Sequence, residues 1–233
     1  MVVLLVASAA GSTPALSSNT AHRAATWRSV QPLALLLVSH VARQAPRSDS
    51  RRLRAVAAHR PITGEQTVLP VLGHATDRVG HRWLQVRLPG RPNGQRGWIM
   101  RAGTAARSTR WRLVVDLAGR TVTAYENAHA IREFRAVVGK PSTPTPRGEF
   151  FIEEAVALPS GTVGAPFALA LSARSDVLQE FDGGPGQIAI HGIANVGGTP
   201  GTAVSHGCIR LTTAAMHWLV THIGPGVPVT ISG

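Results

Sequence analysis

The stretch WRLVVDLAGRTVTAYENAHAIREFRAVVG, Trp111 to Gly139, decides the fold class. Trp111 to Leu117 is aliphatic and β-branched and reads as a strand. Ala118-Gly119-Arg120 turns the chain, Thr121 to Tyr125 makes a second strand, Glu126 to His129 turns again, and Ile131 to Val138 makes a third. Short apolar runs cut by turn residues predict an all-β sandwich or barrel. Downstream, the prolines of Gly139–Gly148 fix φ and remove donors, so this loop is extended and helix-free. Phe150 to Ile152 continues the strand pattern. Pro159 to Gly186 is less regular: a short helix is expected over Ser175–Phe181, followed by the break Gly183-Gly184-Pro185-Gly186. Such a Gly-rich insertion is a candidate lid over a site. Gln187 to Ile190 is a strand running into His191-Gly192. A helix over Thr213–His222 ends at Gly224-Pro225-Gly226, and Val227–Ile231 is the last strand.

The chemistry concentrates in SHGCIRL, Ser205 to Leu211. The only cysteine, Cys208, stands beside His206 and Gly207, and His191 precedes it across a Gly/Thr/Pro loop. A nucleophilic thiol needs an activating base within hydrogen-bond reach. If residues 205–210 are extended, His206 and Cys208 share one face, with Ser205 and Gly207 on the other. Gly207 lets backbone approach a substrate closely. The N–H groups of Cys208 and Gly207 are candidate oxyanion donors, and His191 is a candidate general base from a neighbouring strand. Arg210 is equally a ligand for a substrate carboxylate or a structural ion pair. An inert buried thiol is the plain alternative for a lone cysteine, and the flanking histidines argue against it. Zinc held by His191, His206 and Cys208 lacks a fourth ligand at a familiar spacing. His217 reads as a surface or packing residue. No G-x-S-x-G is present for a serine hydrolase.

HG, a loop and SHGCIRL together resemble the active-site motif of the L,D-transpeptidases, whose catalytic domain is of the YkuD type. The resemblance extends through VVDLAGRTVTAYEN and VVGKPSTPTPRGEFFI and covers residues 110–233. It implies a mainly β catalytic domain with one or two short helices. That domain acts on peptidoglycan stem peptides without a cofactor or metal. By motif position, Cys208 is the nucleophile, His191 the base and His206 a site-lining histidine. Ser205, Gly207, Arg210 and Gly192 complete the motif as substrate or oxyanion residues. Ile193 departs from the family, which often has Thr after HG. The implied reaction releases D-Ala from a tetrapeptide stem through a thioester, and a neighbouring amine then forms a 3→3 cross-link. With water as acceptor, the same site is an L,D-carboxypeptidase. Carbapenem β-lactams are the implied covalent inhibitors.

The front of the chain differs. From Leu53 short apolar runs alternate with turns. Val68 to Leu72 and Trp83 to Leu88 read as strands, and Gly97 to Met100 returns after a Pro/Gly/Asn-rich turn. WLQVRLPGRPNGQRGWI resembles a small bacterial Src-homology-3-like β module over residues 54–106, with Trp83 and Trp98 flanking one hairpin; both read as core or interface packing, with a ligand groove on the module as the alternative. Residues 1–53 read as an export signal or a disordered Arg-rich leader. Met1–Ala7 and Pro32–Val41 are apolar runs too short to span a bilayer, and Ala45–Arg54 reads as a solvated linker. The expected location is the cell wall, outside the cytoplasm.

The 233 residues carry a formal net charge of +12, with 44% hydrophobic and 15% charged residues. That composition excludes a wholly disordered chain, and a single cysteine excludes a disulfide scaffold. Residues 1–110 hold almost all the excess arginine, whereas 111–233 are close to neutral. The charge therefore suits peripheral contact with an anionic wall polymer or a membrane surface. It does not indicate nucleic acid, for which no motif or aromatic–basic interleaving exists. A catalytically idle wall-binding protein is the competing reading, and the intact His191/Cys208 set argues against it.

Overall fold

Alternating burial starts earlier than the sequence suggests. Ala34 and Leu36 are buried on one face of a strand that is hydrogen-bonded on both edges. In the computed structural model, which describes residues 29–181 and 183–233, this strand is β1 (Gln31–Leu36). It is followed by β2 (His40–Arg43), β3 (Arg52–Val56), β4 (Val68–Thr76), β5 (Arg82–Arg87), β6 (Arg96–Met100) and β7 (Thr104–Thr109). These form one seven-stranded sheet in the order β3-β2-β6-β5-β4-β1-β7. The run Pro32–Val41 is thus β1 and the start of β2, not part of an export signal. Its apolar side chains face a core shared with Leu69, Val86 and Ile99. Ala45–Arg54 is the β2–β3 turn and the start of β3, not a linker. Arg43 Nη1 donates to the Ser50 carbonyl at 2.7 Å, and the Ala45 N–H donates to Ser50 Oγ at 2.9 Å. The far boundary also moves, because β7 pairs along β1 as far as Thr109. The stretch Met1–Ala7 lies outside the described residues. The expected hairpin forms, with Gln85 opposite Trp98 and Trp83 opposite Met100. Trp83 is buried and its Nε1–H donates to Asp77 Oδ2 at 3.0 Å.

The second half is a mainly β, barrel-like sheet. Its strands are β8 (Trp111–Asp116), β9 (Thr121–Glu126), β10 (His129–Arg135), β12 (Gly148–Ala157), β13 (Phe167–Arg174), β14 (Gln187–Gly192), β16 (Ile209–Leu211) and β17 (Pro228–Ser232). Their order is β10-β9-β8-β17-β12-β13-β14-β16. The short β11 (Val138–Gly139) and β15 (Ala203–Ser205) pair in parallel beside it. Val137 and Arg210 exchange two backbone hydrogen bonds of 2.9 Å each. That bridge brings the chain leaving β10 onto β16, so the two edges of the sheet nearly meet. The helix α1 (Thr213–Val220) is capped by Thr212, whose side chain accepts from the Ala215 N–H, and it buries Ala215, Met216 and Leu219 in the barrel core. The helix expected over Ser175–Phe181 is absent. Ser175 Oγ accepts from the N–H groups of Val177 and Leu178, and the carbonyls of Ser175 and Leu178 are taken by an arginine from the other sheet.

β12 joins the halves. Phe150 and Ile152 point into the barrel core, whereas Phe151 packs in the core of the first sheet. A register shift between Ile152 and Glu154 then leaves two successive glutamates, Glu153 and Glu154, buried. Arg60 from the amino-terminal half reaches both carboxylates, and Arg174 Nη1 lies 3.1 Å from Glu153 Oε1. Thr63 donates from its N–H and its hydroxyl to Glu154. Removing one partner of such a buried set strands a charge and costs about 3–5 kcal/mol. Arg60→Ala is therefore expected to lower the unfolding free energy by about 3 kcal/mol in denaturant titration. A loss below about 1 kcal/mol would show that this contact carries no more weight than an exposed ion pair.

Candidate active site

The site forms where β14 and β16 run side by side. Their parallel register places His191 opposite Arg210, so the residues flanking this pair reach a common space. Cys208 and His191 line one cavity of about 530 Å³, together with His206, Arg210, Ile188 and Gln187. Cys208 is partly exposed to it. Residues 206–208 are not extended: Gly207 has φ +118°, and the chain bends there. The side chains still sort as expected. His206 and Cys208 face the cavity, while Ser205 and Gly207 are buried behind it.

Polar contacts hold the nucleophile turn from behind. Ser205 Oγ donates to the Cys208 carbonyl at 2.6 Å and accepts from the Gly207 N–H at 3.1 Å. Thr145 Oγ1 donates to the Gly207 carbonyl at 2.8 Å and accepts from the Gly139 N–H at 2.9 Å. Thr143 Oγ1 donates to the Ser205 carbonyl at 3.2 Å. Sequence reasoning missed Thr143 and Thr145. Their signal was the alternation of threonines in the Pro-rich loop, which puts both hydroxyls on one face. Ser205 is thus a clip for the turn rather than a substrate contact. The Gly207 N–H is spent on that clip and does not serve as an oxyanion donor. Among the described residues nothing hydrogen-bonds the Cys208 N–H.

His191 is fixed by its own strand. Its Nδ1 lies 2.8 Å from the Gly192 carbonyl. A carbonyl only accepts, so Nδ1 carries the proton and Nε2 keeps its lone pair. Gly192 is enclosed: a Cβ there would lie 1.9 Å from the Ala165 carbonyl oxygen. Gly164, at φ +83°, passes so close that a Cβ would come within 2.6 Å of His191 Nδ1. Gly192 therefore orients the base and is walled off from a substrate. At the mouth, Phe181 stacks on His206 with ring centroids 5.6 Å apart, and Lys140 Nζ lies 3.4 Å from His206 Nε2. Neither Phe181 nor Lys140 was expected. His217 packs edge-on against Phe167, as a packing residue should.

Arg210 makes no ion pair with a carboxylate among the described residues. Its Nη1 donates to the Gly197 carbonyl at 3.2 Å and the Val196 carbonyl at 3.4 Å. Its buried Nε has no hydrogen-bond partner among the described residues. The guanidinium acts electrostatically on the pair. Burial pushes the Cys208 thiol up, opposed by a backbone hydrogen bond and by Arg210. Burial pushes His191 down, opposed by its bond to Gly192, and Arg210 adds to the lowering. Both burial effects favour neutral thiol and neutral imidazole over the ion pair.

Alkylation of Cys208 by iodoacetamide follows the thiolate, so its rate is expected to rise with pH through a midpoint above that of an ordinary thiol. Arg210→Gln removes the cation that opposes this shift and is expected to move the midpoint higher still. A midpoint unchanged or lowered in Arg210→Gln would contradict the electrostatic role. Thr145→Val is expected to leave the fold intact and slow alkylation about tenfold, because the turn carrying Cys208 loses its clip.

The catalytic-domain family model of the L,D-transpeptidases, YkuD, matches residues 110–231. A Bacillus licheniformis chain named for L,D-transpeptidase YkuD is 34% identical over 122 residues, 52% of this chain and 66% of its own length. L,D-transpeptidase 1 of Mycobacterium tuberculosis is 30% identical over 132 residues, 52% of this chain and 49% of its own. This chain therefore spans about two thirds and about half of those two relatives. A crystal structure of Enterococcus faecium L,D-transpeptidase is 26% identical, covers 52% of this chain and 49% of that one, and superposes with a TM-score of 0.38. The family match takes in more than half of the chain, including the strand that carries His191 and the turn that carries Cys208, and the chain belongs to the YkuD family of L,D-transpeptidase catalytic domains.

Proposed function

We propose that this chain is a cysteine-dependent L,D-transpeptidase acting on peptidoglycan stem peptides outside the cytoplasm. The observation that carries the reading is the pairing in one cavity of Cys208 with a His191 whose Nδ1–H is pinned on the Gly192 carbonyl. That tautomer leaves Nε2 free to accept a proton.

In this reading, Cys208 Sγ attacks the carbonyl carbon between the L-centred third residue and D-Ala. The resting pair is neutral, so the thiol proton passes to His191 Nε2 as the S–C bond forms. The Cys208 N–H donates to the developing oxyanion. Collapse breaks the C–N bond, His191 returns its proton to the departing amine, and D-Ala leaves a thioester behind. A side-chain amine of a neighbouring stem then attacks the thioester and gives up a proton to His191. Collapse forms the 3→3 amide and restores the Cys208 thiol. Arg210 stabilises negative charge on sulfur in both halves. A strained β-lactam carbonyl presents the same electrophile to the same thiol, so carbapenems are the expected covalent inhibitors. The cavity volume lies within the range of small-ligand sites.

The amino-terminal sheet fits a tethering role beside this chemistry. We assign it, in the Src-homology-3-like reading, to peripheral contact with an anionic wall polymer. Arg51, Arg52, Arg78, Arg82, Arg101 and Arg107 are exposed on it. Such contact is electrostatic and weakens as salt shortens the Debye length.

Intact-protein mass after carbapenem exposure is expected to show one adduct, absent in Cys208→Ala. A purified tetrapeptide donor with an amine acceptor is expected to yield free D-Ala and a cross-linked product. His191→Ala is expected to slow that reaction about 100-fold to 10,000-fold. Folded protein that forms no adduct and releases no D-Ala would overturn the assignment. Release of D-Ala with water alone as acceptor would make the chain an L,D-carboxypeptidase instead.

A further inference from the structure

One wall of the cavity belongs to the connection between β13 and β14, through Ser175, Leu178, Phe181 and Gly186. This connection lacks a regular ladder to satisfy its carbonyls, yet three of them converge on one side chain from the other half of the molecule. Arg91, in the β5–β6 loop, donates from Nη2 to the Ser175 carbonyl at 2.7 Å and to the Leu178 carbonyl at 2.9 Å. Its Nη1 donates to the Pro185 carbonyl at 2.9 Å. Ser175 and Leu178 belong to the start of the connection and Pro185 to its end. One rigid guanidinium fork therefore ties both stems together.

The surroundings are built around this contact. Asn93 Nδ2 donates to the Arg174 carbonyl at 2.7 Å, and its Oδ1 accepts from the Arg174 N–H at 2.9 Å. The Gly90 N–H donates to the Ser172 carbonyl at 3.0 Å. Behind the loop, Arg54 of β3 donates to the carbonyls of Pro89 and Arg91, which sets the backbone that presents Arg91. Gly186, at φ +62°, completes the junction. A Cβ there would stand 2.1 Å from the Leu178 carbonyl oxygen and 3.2 Å from Arg91 Nη2. Arg91 itself does not line the cavity. Cys208 and His191 are held by other elements, through Ser205, Thr145 and Gly192.

We propose that Arg91 is a positioning residue for the acyl-donor site: it holds the β13–β14 connection against the cavity, so the amino-terminal sheet governs how tightly the catalytic half binds its donor. The inference rests on the transpeptidase reading for its substrate. The effect belongs in KM rather than kcat, because the clamp shapes the wall and leaves the reacting groups in place.

The test uses the full chain as wild type, Arg91→Ala, Arg91→Lys and Asn93→Ala. Arg91→Ala is expected to raise KM for the tetrapeptide donor about tenfold, with kcat and the iodoacetamide rate of Cys208 within about twofold. Arg91→Lys, a point charge without the fork, is expected to recover only part of that loss. Asn93→Ala is expected to raise KM in the same direction. Amide hydrogen exchange of residues 175–186 is expected to quicken about tenfold in Arg91→Ala, while α1 and β12 keep their protection. An unchanged KM, unchanged exchange in 175–186, or a parallel fall of kcat and thermal midpoint would overturn the proposal. Wild-type protein that turns over no donor sinks the transpeptidase reading instead, and the exchange rates then decide the clamp by themselves.

Discussion

The pair of hydrogen bonds exchanged by Val137 and Arg210 is the constraint on which the site depends. It lays the segment after β10 against β16, while β16 pairs on its other side with β14. β16 is only three residues long and would not define a site as a free edge. Flanked on both sides, it holds Arg210 and the turn before it in a fixed register. His191 and Cys208, far apart along the chain, then share one cavity without either needing a special conformation. Close packing of Ile190, Ile209 and Leu211 beneath them leaves no room for slippage, since a one-residue shift would turn these side chains out of the core.

Behind the thiol the structure satisfies backbone groups with hydroxyls. The bend at Gly207 leaves the Gly207 and Cys208 carbonyls and the Gly207 N–H to hydroxyl partners, which Thr145 and Ser205 supply, while Thr143 adds a second donor to the Ser205 carbonyl. The consequence is chemical as well as mechanical. With the Gly207 N–H committed to Ser205, the Cys208 N–H, next to the sulfur, has no hydrogen-bond partner among the described residues. Burial pushes the thiol up and the imidazole down, and both shifts favour the neutral pair. Arg210, which lines the same cavity, opposes the upward shift of the thiol.

The two sheets are joined by groups that are costly to separate. β12 is buried on both faces and carries two adjacent buried glutamates, and Arg60 answers them from the amino-terminal half. A second set of contacts runs from Arg54 through the β5–β6 loop to the β13–β14 connection. The first set is far more buried than the second. The first therefore accounts for cohesion, and the second for the shape of the wall opposite Cys208.

Strand content, the turns and the motif were legible in the sequence because they are local. Alternation in Trp83–Leu88, the glycines and prolines between runs, and the cluster His206-Gly207-Cys208 need no distant partner to be read. The helix was legible for the same reason, from the glycines that follow it, although it ends at Val220 rather than His222. The strand identity of Pro32–Val41 was not, because an apolar run looks alike in a signal segment and in a sheet until β4 and β7 are seen to bond its edges. Ser175–Phe181 failed in the opposite sense. Its local preference for a helical turn lost to Arg91, which claims carbonyls that a helix would have used. Arg210 was undecidable from sequence, because its choice between a carboxylate and loop carbonyls is made by what the fold places within reach. By itself the sequence determined which residues could do the chemistry. Only the tertiary structure decided which of them meet, which merely hold the turn, and that the amino-terminal sheet shapes the site, because those outcomes rest on contacts between residues tens of positions apart.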